Sequence, residues 1–184
     1  MRVIAGKYRG RKLKSPPSIQ TRPTSDRLRE ALFNILAPQM EGTRFLDLCA
    51  GTGAVGIEAL SRGAARVFFV DRSRKMATLV AANVELLEVT DATEIATMEA
   101  LEFLRRHSKH QAEPFDIIFF DPPYAEDYGD VLAFIGEHAA ELLRADGMVI
   151  VEHHKKKVLS DAPRLERYRE LKQGDSVLSF FRVC

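Results

Sequence analysis

Asp121-Pro122-Pro123-Tyr124, which follows the apolar run Phe115 to Phe120, is suited to chemistry on a planar exocyclic amine. The lone pair of such an amine is delocalised into its ring, and its two N–H groups need acceptors. The Asp121 carboxylate and the Pro122 carbonyl can take both hydrogens and hold the nitrogen in line with an electrophile. As the nitrogen gains positive charge, acceptors fixed in a dry pocket favour that charge over the neutral ground state. Pro122 and Pro123 hold the loop's shape at low entropic cost, and the Tyr124 ring offers a flat face to a base extruded from its stack.

A second constellation, Gly51-Thr52-Gly53-Ala54-Val55-Gly56, spells the G-x-G-x-x-G pattern of a dinucleotide site. The pattern alone is weak, because any strand-to-helix turn close to a nucleotide favours glycine. Asp47, four positions earlier in an otherwise apolar stretch, shifts the reading. S-adenosylmethionine carries an ammonium and a sulfonium where NAD carries pyrophosphate, so a nearby carboxylate attracts the first and repels the second. Asp71 ends "VFFVD", 20 residues beyond Gly51, where a carboxylate can accept both ribose hydroxyls. Met98-Glu99-Ala100 falls where an adenine should lie, with Met98 as an apolar face and Glu99 as an acceptor for its amine. Each residue has a plainer alternative: Asp47 as a cap of the glycine loop, Asp71 as a helix cap, Glu99 as a favourable helix start.

These residues need a scaffold that gathers strand ends, and the sequence supplies its rhythm. "RFLDLCA", a helix Ala54 to Arg62, "RVFFVD", a helix Arg74 to Leu87, "TEIATM", a helix Ala100 to His107 and "FDIIFFD" alternate strand with helix. The fold class expected is α/β: a Rossmann-like, doubly wound, mostly parallel sheet. A helix over Tyr128 to Leu143 leads to the strand "MVIVEH", and a hairpin around Gly174-Asp175 makes an antiparallel C-terminal edge. Before the sheet, Val3 to Ala5 and Arg11 to Leu13 read as a small hairpin, and a helix capped by Thr24 or Ser25 runs to Pro38. Ligands of such sheets bind at the carboxyl ends of the strands, where the glycine loop and the Asp121 loop lie side by side.

The formal net charge of +1 hides an asymmetry: residues 1–25 carry seven basic side chains and no acid. Of the 27 basic and 26 acidic residues, the remainder keeps 20 and 26, a net −6. The basic end could grip a polyanion. Residues 1–23 are therefore expected as a basic appendage that could hold such a polyanion, with Arg9, Arg11, Lys12 and Arg22 as candidate contacts, and residues 24–184 as the catalytic domain. Two cysteines suggest neither a disulfide framework nor a metal site, and the apolar runs are too short to span a bilayer. A cytoplasmic chain without membrane contact is expected, and no metal.

The sequence resembles the bacterial RsmD family of 16S ribosomal RNA guanine-N2 methyltransferases, within the class I S-adenosylmethionine-dependent methyltransferases. The runs that carry the resemblance are "RVIAGKYRGRKL", "RPTSDRLREALFNIL", "LDLCAGTGAVGIEALSRGA", "VDRS", "FDIIFFDPPY" and "GDSVLSFFR". It implies S-adenosylmethionine at Asp47, Gly51, Thr52, Gly53 and Asp71, and the target base at Asp121, Pro122, Pro123 and Tyr124. The implied partner is 16S ribosomal RNA in an assembling small subunit, and residues 1–23 resemble the family's RNA-binding appendage; a monomer is expected. Glu99 stands where the wider class often has Asp or Asn. Two other readings stay open on the residues: a DNA adenine or cytosine amino-methyltransferase, which would use the same loop, and a catalytically idle RNA-binding assembly factor.

Overall fold

The computed structural model describes residues 1–16, 25–123, 128–159 and 162–184. Arg22 and Tyr124 lie outside the described residues. The chain begins with a tight turn whose ends meet in one antiparallel bridge, Arg2 to Lys12. Helix α1 (Asp26–Leu36) starts at Ser25, whose Oγ accepts the Leu28 N–H at 3.2 Å. A short 3-10 turn, Ala37–Gln39, contains Pro38 and ends it.

The alternating part follows: β1 (Arg44–Leu48), α2 (Ala54–Ser61), β2 (Arg66–Asp71), α3 (Arg74–Leu86), β3 (Thr93–Thr97), α4 (Ala100–Lys109) and β4 (Phe115–Phe120). Then come α5 (Gly129–Glu137), α6 (Ala139–Leu142), β5 (Leu143–His154), β6 (Leu165–Gln173) and β7 (Ser176–Val183). The seven strands form one sheet in the order β3-β2-β1-β4-β5-β7-β6. Strands β1 to β5 pair in parallel, and β7 lies antiparallel between β5 and β6. The chain runs outward from β1 to β3, then returns to place β4 on the other side of β1. That reversal makes the carboxyl ends of β1 and β4 the switch point.

Alternation along each strand feeds two apolar layers. Phe45, Ile117, Phe119, Met148 and Ile150 pack with Leu28, Leu32 and Phe33 of α1, Ile57 of α2 and Val80 of α3. Leu46, Leu48, Ile118, Phe120 and Val151 pack instead with Leu104 of α4 and with Val131, Leu132 and Ile135 of α5. Strands covered on both faces need apolar side chains at nearly every position, as "FDIIFF" and "RVFFVD" provide.

Two expected elements change. The single helix over Tyr128 to Leu143 is two helices, because His138 leaves helical geometry at φ −110° and ψ 28°. Strand β5 begins at Leu143, five residues before "MVIVEH", with a pairing irregularity against β4 between Phe115 and Ile117. The periodicity of "VLAFIGEHAAELL" could not reveal the break, since Leu142 and Leu143 are apolar in either arrangement.

Of residues 1–23, expected as an appendage, residues 1–16 are described, and their Val3 and Leu13 are buried in the layer of α1 to α3. The Glu58 carboxylate accepts the N–H groups of Ile4 and Ala5 at 2.9 and 3.0 Å, and Ser61 bonds Ala5, Lys7 and Tyr8 through its hydroxyl and carbonyl. Gly6 is needed here, since a Cβ would stand 1.8 Å from the Ser61 carbonyl oxygen. Asn83, fully buried on α3, accepts the Lys14 N–H at 2.7 Å and donates to the Lys14 and Thr52 carbonyls.

Candidate functional site

The loop after β1 starts with Cys49 at φ 62°, an unusual left-handed conformation for a side chain with a Cβ, and continues through Gly51 and Gly53 at φ 53° and 74°. Gly53 caps α2, whose first-turn N–H groups therefore point toward the strand ends. Gly56 serves packing: a Cβ there would stand 2.3 Å from the Phe69 ring, so only glycine lets α2 lie this close to β2.

Asp47 is 2% exposed, and its Oδ2 accepts the Gly56 N–H at 2.9 Å. It satisfies a first-turn donor of α2, so the capping alternative describes a real bond. Burial pushes the Asp47 carboxyl up to about 8, the Gly56 N–H pulls it back, and Asp71 adds to the rise. Asp71 does not cap α3; Ser73 does, with its Oγ accepting the Met76 N–H. Instead Asp71 ties two loops together, accepting Gly51 N–H on Oδ2 and Ser73 N–H on Oδ1, each at 2.8 Å. Each oxygen keeps a second acceptor position, as a ribose diol requires. The Met98 N–H donates to the Asp71 carbonyl at 3.2 Å, which sets the β3 exit beside the β2 exit. Met98 and Ala100 are half-buried; Glu99 is exposed at the start of α4, makes no side-chain cap bond, and lies 3.7 Å from Arg72.

Across the switch point, the Asp121 N–H donates to the Leu48 carbonyl at 3.3 Å, so the Asp121 loop leaves the sheet beside the glycine loop. Pro122 is buried and Pro123 exposed. The buried Tyr128 hydroxyl stands 3.5 Å from the Pro122 carbonyl, and its ring meets Phe120 edge-on at 5.8 Å. Burial, then the carboxylates of Glu152 and Asp47, push Asp121 well above the usual carboxylate range. Register explains the cluster. Asp47 pairs with Phe119, and Val151 with Phe120, so the alternation that puts Phe119 and Ile150 toward α1 to α3 carries Asp47, Asp121 and Glu152 to that same face.

Sequence reasoning missed Glu152, Tyr128 and the pair Glu58 and Asn83. An acid closing the apolar strand "MVIVE" was the one available signal, the same that marked Asp47 and Asp71. Arg9, Arg11 and Lys12 are exposed, and Arg11 donates to the Leu86 carbonyl at the end of α3 at 3.1 Å. The end of β5 also carries a basic run, His153 to Lys157. His153 is buried with Nε2 2.9 Å from Ser179 Oγ, burial lowers its pKa, and Lys155 pairs with Asp175 at 2.8 Å.

A sheet of this order, with a glycine loop after β1, an acid closing β2 and an Asp-Pro-Pro loop after β4, defines a class I methyltransferase fold. The family model described as "Conserved hypothetical protein 95" matches residues 1–182, and the chain belongs to that family, the RsmD family. It is 35% identical over 162 residues to "Ribosomal RNA small subunit methyltransferase D" of Haemophilus influenzae, covering 86% of this chain and 81% of that one. A Bacillus subtilis protein provisionally named rRNA methyltransferase YlbH is 40% identical over 156 residues, 84% of this chain and 83% of its own. Among solved structures, Escherichia coli yhhF, also provisionally named a methyltransferase, superposes with a TM-score of 0.87 at 29% identity, covering 100% of this chain and 97% of that one.

Proposed function

We propose that this protein transfers a methyl group from S-adenosylmethionine to the N2 amine of a guanine in 16S ribosomal RNA, acting in the cytoplasm as a monomer on an assembling small subunit. The observation that carries this reading is the Asp121-Pro122-Pro123 loop beside the glycine loop of β1, joined by the Asp121 N–H to the Leu48 carbonyl. Relatives named as small-subunit ribosomal RNA methyltransferases support the substrate class.

The chemistry of the donor set fits the cofactor. Asp71 has acceptor positions for a ribose diol, and the acids Asp47 and Asp121 suit a ligand bearing a sulfonium and an ammonium better than a pyrophosphate. Bound S-adenosylmethionine supplies an electrophilic methyl on a cationic sulfur. Asp121 and the Pro122 carbonyl hold the amine hydrogens and keep the nitrogen lone pair directed at that methyl. An Asp121 carboxylate held well above its ordinary range is also a competent acceptor for the proton the amine must shed once cationic charge nearby keeps it ionised. Tyr124 supplies the stacking face, and Tyr128 steadies the Pro122 carbonyl.

Mass spectrometry of small-subunit ribosomal RNA from a strain lacking the gene tests the reading. N2-methylguanosine should fall and return with the wild-type gene, but not with Asp121→Ala. Loss of a different methylated nucleoside would replace guanine N2 as the target.

Two calorimetric results are expected. Asp71→Ala should weaken S-adenosylmethionine binding by about 1.5–3 kcal/mol, the value of hydrogen bonds to a charged group, with NAD binding absent in both proteins. Wild-type affinity in that variant would leave Asp71 a purely structural tie. Asp47 supplies the second. With its carboxyl at about 8 in the free protein, a cationic ligand must displace its proton at neutral pH. Affinity should therefore rise as pH climbs toward that value and level off above it, and heats in buffers of different ionisation enthalpy should report proton release. A flat pH profile would mean that Asp47 keeps its charge state.

Arg9, Arg11 and Lys12 stand on the turn that Asn83 ties to the Thr52 carbonyl, so RNA held there lies next to the cofactor loop. Replacing all three by alanine should reduce the log–log salt dependence of RNA binding by about 2–3 units while leaving cofactor affinity intact. An unaltered slope would move the RNA surface elsewhere.

A further inference from the structure

Glu152 is 3% exposed at the carboxyl end of β5, level with Asp121 on the neighbouring strand and on the same face of the sheet. The register of β4 and β5 brings the two carboxyl groups to neighbouring strand ends, and the Glu152 carboxylate helps push Asp121 above its usual range. Nothing in the mechanism above uses it. A carboxylate this deep beside another acid is electrostatically costly even with partners in the protein. A carboxylate has about four acceptor positions on two oxygens, so bonds to protein leave capacity for a ligand.

We propose that Glu152 is the residue that reads the target base as guanine, accepting the guanine N1–H while the adjacent N2 amine is held by Asp121 and the Pro122 carbonyl. This rests on the reading of the site as a guanine-N2 methyltransferase. Guanine alone among the RNA bases places a ring N–H and an amine side by side on an edge whose amine is N2. Two carboxylates on adjacent strand ends match that pair of donors. Adenine placed with its amine at Asp121 would turn the N1 lone pair toward Glu152, acceptor against acceptor. The rejection would come from two acceptors facing each other in a buried site, the kind of mismatch that discriminates more strongly than lost apolar contact. The same loop with an uncharged donor in place of Glu152 would suit adenine, so the specificity resides on β5 and not in the Asp-Pro-Pro loop.

The experiment is a single-turnover comparison of RNA carrying guanine or 2-aminopurine at the target position. 2-Aminopurine keeps the N2 amine but has a lone pair at N1, and it lacks the O6 carbonyl. The wild-type enzyme should prefer guanine by about 10²-fold or more, the worth of a hydrogen bond to a buried charge. Because the missing O6 contributes to that ratio, the deciding readout is its change with Glu152. Glu152→Gln can donate its amide N–H to N1 of 2-aminopurine, so its preference should shrink by at least about tenfold. Glu152→Asp, which keeps the acceptor, should retain a clear preference. S-adenosylhomocysteine affinity and the unfolding midpoint check that each variant is folded.

A wild-type enzyme indifferent to the two bases would overturn the proposal without any variant. So would Glu152→Gln slowing both substrates equally, since Glu152 would then act only by positioning Asp121. Failure of the underlying reading looks different: the wild-type product from guanine RNA would contain no N2-methylguanosine, and both claims would fall together.

Discussion

Asp121→Ala is expected to lower the single-turnover rate of methyl transfer by about 10²–10³, comparable with the loss of one preorganised hydrogen bond at a transition state. Asp121 leaves the sheet on a strand end held by its N–H to the Leu48 carbonyl, and it shares its surroundings with two other acids. Alanine keeps the backbone bond, so the fold and the glycine loop should persist. Cofactor affinity should change by less than about tenfold, because Asp47 and Asp71, the acids placed at the cofactor, both remain. The effect therefore belongs in the rate at saturating cofactor and RNA. Near-normal turnover in the variant would remove the claim that this loop holds the reacting amine. A rate loss matched by an equal loss of cofactor affinity would make Asp121 a binding residue instead. The environment of Asp121 also gives this loss a direction in pH. Acidification of the wild-type enzyme should lower the rate as the carboxylate is protonated, and in Asp121→Ala that limb of the profile should vanish.

The second large effect is on stability. Glu58→Ala should destabilise the fold by about 3–5 kcal/mol, the cost of breaking a buried ion pair from one side. Glu58 and Arg29 are each 1% exposed, with Arg29 Nε 3.7 Å from Glu58 Oε2. Among the described residues, Arg29 Nε and Nη1 have no hydrogen-bond partner, so Glu58 compensates their charge across a short gap. Glu58 also pairs with Arg62 at 2.8 Å and accepts two N–H groups of the N-terminal turn. Alanine would leave the buried guanidinium with only the half-exposed Asp26, 3.2 Å from its Nη2, as counter-charge, and two backbone donors without their acceptor. Urea unfolding should show a lower midpoint at an unchanged slope, and limited proteolysis should cut near Ile4 and Ala5 first. A change below about 1 kcal/mol would show that Asp26, already bonded to Arg29 Nη2, and water suffice without Glu58. Glu58→Gln separates the two roles, since its carbonyl still accepts an N–H but its charge is gone.

Much of this molecule is written in local patterns. Alternating apolar stretches and helical repeats predict every strand of the parallel sheet, because each period reflects which side of one element meets the core. Glycines 51, 53 and 56 announce a strand-to-helix loop, since their conformations and close approach exclude a Cβ. The Asp-Pro-Pro-Tyr tetrapeptide carries the expectation of amine chemistry by residue type alone, and the charge of residues 1–25 carries the expectation of a surface for a polyanion. What local pattern leaves open is decided by pairing between distant segments. Asp47, Asp121 and Glu152 are far apart in sequence, and only the register of β1, β4 and β5 sets them on one face at one end of the sheet. Glu58 and Asn83 look like ordinary polar positions on amphipathic helices until the N-terminal turn packs against them and they become fully buried acceptors. The break at His138 has the same origin. Leu142 and Leu143 satisfy a helical or an extended pattern equally well, and the parallel ladder with β4 draws Leu143 into β5. The sequence by itself determined the elements and the kinds of chemistry they could carry. Tertiary structure decided which carboxylates meet, because like charges converge only where strand pairing and burial hold them together.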